Sequence, residues 1–384
     1  MRLTNYIAPL ILGLALSCVK PYDFDPDNFD RVLVIEGQIS DEQGPHRISI
    51  TYTYPLDTLL NEFVSGATVW VEDGNGVRTP FVQIEGGFYQ SPEAFAGQVG
   101  QTYQLHIELP DGSAYESSSE LLQAAPAIDA VYGKYTEQAN SAGDQNTGGI
   151  QFFIDSETSD HAYYRYSWEE GYKIETPYPA RYMVTDDSML VLMDTSIGIC
   201  YKEGFSTELI YGTTNNSTVN RMVEFPIRYL SDEQQQLRVR YSILVKQYAI
   251  NESAYLFYKQ LDENNESGGS LFDQQNGTVI GNISSTSNSG ENVLGYFEAA
   301  GVSKKRAFFN DEDLDEQFDR PRFPYACHYS LTIVTSADSA LYYVRQGGNV
   351  FSYDPFLNEV QIQSISCTDC SFYADTTPPN YWEE

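Results

Sequence analysis

The chain has 384 residues, enough for about two or three domains, and it is 41% hydrophobic and 14% aromatic, which is typical of globular proteins. It carries 54 acidic and 22 basic residues, a formal charge of −32, which excludes nucleic acid as a natural ligand because binding to phosphates needs a cationic face. The same charge is repelled by anionic lipid headgroups, so electrostatic attraction cannot hold the protein on a membrane.

The first 17 residues have the pattern of an export signal. Arg2 supplies positive charge, and the apolar stretch at 7–16 reaches only about half of a hydrocarbon core at about 1.5 Å per residue. Small residues, Ala15 and Ser17, precede Cys18, as a lipoprotein signal peptidase requires. We predict residues 1–17 as a lipoprotein signal peptide and Cys18 as the lipidated residue that anchors the mature chain to a membrane. An ordinary cleaved signal with an incidental cysteine is the alternative.

Aspartates follow the cysteine at nearly alternate positions, a spacing that resembles a calcium-binding loop. They are Asp23, Asp25, Asp27 and Asp30. Asn28 stands where such a loop needs glycine, and Val34 stands where it needs a bidentate glutamate. We therefore predict residues 18–30 as an acidic, extended tether that binds no metal.

Residues 31–123 form a run of short apolar stretches separated by glycine-rich turns. Tyr103, Leu105 and Ile107 alternate with polar residues, which indicates a half-buried strand. His106 falls on the polar side of that strand, which favours a surface position. The spacing of strands and turns predicts an N-terminal Ig-like or carboxypeptidase-regulatory-like β-sandwich. Its expected strands include VLVIEGQI, HRISITYTY, ATVWVED and TPFVQI.

The AAPAID segment at 124–129 predicts a joint, after which residues 126–384 form a larger β-rich domain with one or few short helices. Stretches rich in tyrosine and phenylalanine, such as AYYRYSWEEGY at 162–172, predict strands. Their rings either pair across strands or stack on sugars or peptides. One helix is expected around Ala254 to Leu261, ended by NNESGG.

Two charged clusters stand out in this second half. The basic residues at 304–306 either meet an acidic surface of a partner or form a solvated strand end. The acidic run at 311–319 fails the test for a calcium loop, so we expect an exposed loop.

Beyond Cys18 the chain has an even number of cysteines, which favours two disulfides in an exported protein. The pairing stays open among three arrangements, and free thiols are an alternative. The CTDC pair could instead bind zinc or act in redox chemistry, but it lacks a second close pair and a βαβ context. The disulfide candidates are Cys200, Cys327, Cys367 and Cys370.

The sequence contains none of the motifs that mark common active sites. Its four histidines have no metal-binding spacing, and no nucleophile-elbow motif occurs. Acidic residues are so numerous that their spacing nominates no acid–base pair. We therefore expect no enzyme activity, no catalytic residue, no cofactor and no metal.

Several stretches, in order, resemble one family of Bacteroidota lipoproteins. They include IEGQISDEQGPHRISITYT, SGATVWVEDGNG, GQVGQTYQLHIELPDGSAYESSSE, VIGNIS, VLGYFEAAGVSKKRAFF and a terminal CTDC before NYW. The family is catalogued as domain of unknown function 4249. The resemblance implies an outer-membrane lipoprotein, often encoded beside a TonB-dependent receptor, with no established activity. Acidic residues soon after the cysteine also resemble the surface-export signal of this bacterial group, which predicts a protein that faces the cell exterior.

Two functions from different classes follow from these features. In the first, the protein is an accessory subunit of a TonB-dependent transporter and helps to capture or admit its substrate. In the second, it is a structural or adhesive surface lipoprotein without a transport role, and the sandwich acts as a spacer. Only the first predicts stoichiometric co-purification with a receptor.

Overall fold

The computed structural model describes residues 31–53, 62–139, 146–193, 197–215, 217–266, 279–327 and 331–383. Strands make up 48% of the structure and helices 11%, so the prediction of a mainly β fold is confirmed. The predicted signal peptide, lipidated Cys18 and tether lie outside the described residues.

The first part of the chain contains nine strands within the described residues. They are β1 (Leu33–Ser40), β2 (Arg47–Tyr52), β3 (Glu62–Phe63), β4 (Thr68–Asp73), β5 (Arg78–Glu85), β6 (Phe88–Gln90), β7 (Thr102–Glu108), β8 (Ala114–Ser117) and β9 (Glu120–Leu121).

The described strands beyond the predicted joint are longer. They are β10 (Ile128–Ala139), β11 (Asn146–Ser156), β12 (Tyr163–Glu175), β13 (Tyr182–Val184), β14 (Leu190–Leu192), β15 (Ile199–Phe205), β16 (Ile210–Thr213), β17 (Phe225–Ser231), β18 (Arg240–Ala249), β19 (Ile283–Ser285), β20 (Val293–Leu294), β21 (Phe297–Asn310), β22 (Thr332–Val334), β23 (Gly348–Asp354) and β24 (Glu359–Ser364). The described residues also form three α-helices: α1 (Glu252–Glu266), α2 (Ala337–Arg345) and α3 (Ile365–Thr368).

The N-terminal strands form a sandwich-like unit around one apolar core. Antiparallel pairing runs from β1 through β2, β6, β5, β4 and β7 to β8. Tyr103, Leu105 and Ile107 on β7 are buried, as their alternation predicts. His106 points to the other side, where its ring stacks 5.1 Å from that of Trp70.

This sandwich also takes in strands from the far half of the chain. β19 pairs with β8, and both β20 and the start of β21 run parallel to β1. Ile283, Val293 and Phe297 are buried in the same core as the N-terminal strands. The unit predicted at 31–123 therefore includes residues near 283–300, a long-range pairing that strand periodicity does not encode. Whether the two predicted domains fold separately stays a prediction.

Strand β21 joins the two halves into one continuous sheet. Its first residues pair with β1, and Gly301 to Asn310 pair with β18. At the crossover, a Cβ on Gly301 would lie 2.2 Å from the Gln123 carbonyl oxygen, so only glycine fits there. The predicted joint at 124–129 thus packs directly against β21.

The second core lies where the sheet of β12 and β18 packs against the smaller sheet of β10, β11 and β17. On the tyrosine-rich strand β12, Tyr164, Tyr166 and Trp168 are each at most 3% exposed. Phe152 from β11 packs 5.1 Å from Tyr241 of β18. These three β12 rings therefore fill the core and are not exposed to stack on sugars or peptides.

The last sheet has the order β14-β13-β23-β24-β22, and helix α2 covers one face. Ala340 of α2 packs there with Val350, Val360 and Ile362. Helix α1 was expected from the sequence, whereas α2 and the short α3 were not individually identified.

The basic cluster lies in the middle of β21, so its prediction as a strand end was wrong. Lys304 pairs with Glu42, and the Lys305 ammonium donates to the Asp129 carbonyl oxygen at 2.7 Å. Arg306 stacks on a tyrosine ring 3.4 Å away. Partners inside the chain therefore engage all three charges.

The structure places the acidic run in a short 3₁₀ turn at Asp311–Asp313 and a largely exposed loop. Among the described residues, no helix is long and apolar enough to cross a membrane.

Candidate functional site

A groove of about 400 Å³ separates strands β1 and β2 from helix α1. We call it the sandwich–helix groove. Its lining residues are Glu36, Gly37, Gln38, Arg47, Ser49, Phe88, Arg165, Phe257, Tyr258, Leu261 and Tyr296. Two other cavities, of about 490 and 450 Å³, are formed mainly by residues 374–381 and 322–327.

Strand alternation builds the sandwich wall of the groove. Ile35 on β1 and Ile48 on β2 are fully buried in the core, so their sequence neighbours project from the opposite face. Gly37 on β1 pairs with Ile48 on β2. A Cβ atom on Gly37 would lie 2.9 Å from the side chain of Ile48. The polar side chains on this wall are Glu36 and Gln38 from β1 and Arg47 and Ser49 from β2.

Helix α1 builds the opposite wall. Phe257, Tyr258 and Leu261 line the groove because residues three and four apart share one face of a helix. The ring of Phe257 lies 5.1 Å from that of Tyr296, which closes one end of the groove. Leu261 is 36% exposed, so this wall offers apolar surface to a ligand.

The buried carboxylate of Glu120 fixes the start of α1 to the sandwich. It is 3% exposed and accepts hydrogen bonds from Ser118 at 2.8 Å, Asn282 at 2.9 Å and Tyr296 at 3.2 Å. Its other oxygen accepts from the side-chain amide of Asn251, just before the helix. These neutral donors satisfy the carboxylate and hold the two walls in register.

A buried ion pair forms the floor of the groove. Arg165 donates to both oxygens of Glu298, at 2.8 and 3.1 Å, and the Tyr258 hydroxyl donates to the same carboxylate at 2.9 Å. The Arg165 side chain is 15% exposed and that of Glu298 is 2% exposed. The guanidinium also lies 4.3 Å from the centre of the Tyr248 ring. Such bidentate, charge-assisted bonds fix both groups rigidly.

The electrostatics follow from this burial. Desolvation lowers the pKa of Arg165, but the adjacent Glu298 carboxylate, together with Tyr258 and Tyr248, more than offsets this and raises that pKa above its ordinary value. Burial, and then the Glu298 charge, raise the pKa of Tyr258 well above 10.0. Arg165 is thus a permanent cation already neutralised by Glu298, and Tyr258 remains a neutral hydrogen-bond donor.

The sandwich wall, by contrast, carries polar groups that lack partners. Arg47 lies over the Phe88 ring at 4.3 Å, yet no described carboxylate pairs with it, and none of the described cations pairs with Glu36. The Gln38 Nε2 atom is buried without an acceptor in the described part of the chain. Arg47 is exposed on this wall, so the wall is suited to receive an anionic group of a ligand.

The cysteines form the two disulfides that the sequence favoured. Cys200 bonds to Cys370 with Cα atoms 5.9 Å apart, and Cys327 bonds to Cys367 with Cα atoms 5.7 Å apart. The two cysteines of the CTDC pair therefore each bond to a distant partner. One bridge ties the C-terminal residues to strand β15, and the other ties them to the turn at Cys327.

The histidines lie apart from this groove. His161 bonds through both ring nitrogens, to Gln123 at 2.9 Å and to the Tyr163 carbonyl oxygen at 2.7 Å. His46 packs edge-on against Phe95, and His328 lies outside the described residues. Within the described ranges, no group of three or more histidine, cysteine or acidic residues could hold a metal ion.

Sequence reasoning did not identify the groove. Its walls come from segments more than 200 residues apart, from Glu36 to Leu261, so their meeting depends on the tertiary fold. One usable signal was Arg165, a cation in the middle of the aromatic stretch AYYRYSWEEGY. A charge within such an apolar stretch, when it is largely buried, needs an oppositely charged partner, which here is Glu298.

No protein with curated annotation matches the chain. The sequence profile of a family described as a domain of unknown function (DUF4249) matches residues 19–306. This match covers more than half of the 384 residues and includes every residue that lines the sandwich–helix groove. The match confirms the resemblance seen in the sequence, and the chain belongs to the DUF4249 family.

Proposed function

We propose that the protein is an outer-membrane lipoprotein, exposed at the cell surface, that acts as an accessory subunit of a TonB-dependent transporter. In this role it captures a substrate and passes it to the transporter. The sandwich–helix groove is the proposed capture site.

The observation that carries this proposal is the groove itself. Ligand sites are usually preformed concave surfaces of about 300–1,000 Å³ with aromatic walls and a few convergent polar groups, and the groove has about 400 Å³. Arg47, which pairs with no carboxylate of the described residues, lines the groove together with Phe257 and Leu261. A charged group left without a partner among the described residues favours ligand binding over a purely structural surface.

The position of the groove within the family also supports the choice. All of its lining residues fall inside the matched range 19–306, whereas the other two cavities depend on residues beyond 306. A site common to family members would lie within the matched range.

The membrane anchor rests on the N-terminal pattern. The short apolar stretch before Cys18 is typical of lipoprotein signals, and acyl chains contribute about 0.8 kcal/mol per buried CH₂. The net charge of −32 opposes binding to anionic headgroups, so the proposed lipid would supply the attachment.

The test is co-purification from the native outer membrane. The chain carries a C-terminal affinity tag, is extracted in mild detergent, and its partners are quantified by mass spectrometry. A TonB-dependent receptor is expected in an approximately equimolar amount. An unrelated lipoprotein of the same membrane, tagged in the same way, controls for receptors that are merely abundant. Recovery of the chain without a receptor would favour the structural or adhesive alternative.

A further inference from the structure

We infer that the sandwich–helix groove binds a ligand with a single carboxylate group and an apolar or aromatic body. This inference rests on the proposed function only for the biological role of the ligand. The binding chemistry is argued from the groove alone.

The carboxylate would meet the Arg47 guanidinium on the sandwich wall. Arg47 has its charge held over the Phe88 ring, and its planar guanidinium matches the two oxygens of a carboxylate. An anionic oxygen here would accept from the Arg47 guanidinium, and hydrogen bonds between charged groups are the strong ones.

The second arginine in the groove cannot perform this role. Arg165 already donates to both oxygens of Glu298, and Tyr258 completes that carboxylate's hydrogen bonds. A ligand anion would have to compete with a fixed, buried partner. The anion site is therefore placed at Arg47, beside the floor of the groove.

The apolar part of the ligand would lie against the helix wall. Phe257 and Leu261 present apolar surface opposite Phe88, and aromatic rings favour offset or edge-to-face contacts with a second ring. The hydroxyl of Tyr258 is turned toward Glu298, which leaves ring surface rather than a polar tip for contact.

The negative charge of the groove and of the chain limits how many carboxylates the ligand can carry. Glu36 lines the same wall without a described cationic partner, and the whole chain has a net charge of −32. A second carboxylate on the ligand would meet this negative potential, and the described lining residues offer it no second free cation. Like charges that are brought close select against such ligands. A ligand with one carboxylate fits these charges best.

Three small compounds of matched shape test the inference. Phenylpropanoate has one carboxylate, phenylpropanamide is its neutral analogue, and benzylmalonate has two carboxylates. Their binding to the purified lipidated chain in detergent is measured by calorimetry at millimolar ligand concentration, where weak fragments bind. Phenylpropanoate is expected to bind about tenfold or more tightly than either other compound.

Variants locate the binding. Arg47→Ala should weaken the binding of phenylpropanoate by about tenfold and leave the binding of phenylpropanamide unchanged. Glu36→Gln should strengthen the binding of benzylmalonate. The matched control is Arg78→Ala, because Arg78 is also an exposed sandwich arginine near an aromatic ring, 5.2 Å from Trp70, but lies outside the groove. Arg78→Ala should bind all three compounds as the wild type does.

Several results would overturn the inference. They are equal affinity for the acid and the amide, no binding of the acid to the wild-type chain, or an Arg47→Ala variant that binds the acid normally. None of these depends on a transporter, so receptor co-purification could still succeed. Conversely, selective acid binding without a receptor would overturn the accessory role alone.

Discussion

Replacing Arg165 with methionine should sharply destabilise the protein. The change leaves the carboxylate of Glu298, only 2% exposed, without its cation. Removing one partner of a buried ion pair lowers the free energy of unfolding by about 3–5 kcal/mol. Because Tyr258 still donates a hydrogen bond to Glu298, we expect a loss of about 3 kcal/mol. Glu298→Met should cost less, because Arg165 is 15% exposed and keeps its contact with Tyr248.

The double variant separates pairing from packing. Replacing both charges with methionine removes the uncompensated carboxylate, so its loss should be smaller than the sum of the two single losses by at least about 1 kcal/mol. The assay is urea unfolding followed by tryptophan fluorescence. The control is Lys134→Met, which breaks an ion pair with Glu224 whose partners are 49% and 55% exposed and should cost less than about 1 kcal/mol. The reasoning would be refuted if the loss of the double variant equalled the sum of the two single losses. It would also be refuted if Arg165→Met lost no more stability than Lys134→Met.

Three further outcomes are expected. Cys370→Ser should lower the free energy of unfolding more than Cys327→Ser, since the two bridges span 170 and 40 residues and loop entropy gives about 5 and about 4 kcal/mol. Cys18→Ala should move the protein from the membrane to the soluble fraction, as measured by immunoblotting. Burial, and then its hydrogen bond to Glu203, raise the pKa of Tyr381 to about 12 from 10.0. Its contribution to stability is therefore full below pH 10.0 and lost as pH rises toward about 12, so Tyr381→Phe should lose less stability than the wild type over that range.

Each of these expectations has a clear opposite. Equal losses for the two cysteine variants would contradict the loop-entropy estimate. Membrane retention of Cys18→Ala would contradict lipid anchoring. Parallel stability curves for the wild type and Tyr381→Phe between pH 10 and about 12 would contradict the pKa shift.

Strand periodicity and turn residues predicted most of the N-terminal architecture. The alternation of Tyr103, Leu105 and Ile107 predicted the buried face of β7, because successive side chains on a strand point to opposite faces of the sheet. The parallel pairing of β1 with β21 could not be predicted in this way, since Gly37 and Phe297 lie 260 residues apart. Parallel strands need long connections whose partners local patterns do not specify.

Helices show the same limit. Helix α1 was predicted because Ala254 and its neighbours have helical spacing before a polar stop. Helix α2 has only nine residues, and Tyr342, Tyr343 and Val344 favour strands by propensity. The cap from Ser336 and packing on β23 decide its structure, which is a tertiary override of local preference.

The disulfides were predicted in number but not in connectivity. An even count of cysteines in an exported chain indicates two bridges, but spacing within CTDC does not reveal that Cys367 and Cys370 bond to different, distant segments. The groove was harder still to predict. Arg47 is an ordinary exposed strand residue in the sequence, and its lack of a carboxylate partner emerges only when the described chain is folded.

The most direct test of the account is uptake from the growth medium by living cells. Compounds that disappear from the medium are quantified by mass spectrometry for the wild type, a gene deletion, and chromosomal Arg47→Ala and Arg78→Ala variants, with equal surface levels confirmed by protease shaving. The account predicts that the deletion and Arg47→Ala both slow depletion of the same carboxylate compound, while Arg78→Ala depletes it normally. A deletion without effect on uptake, or an Arg47→Ala strain that takes up the compound like the wild type, would contradict it.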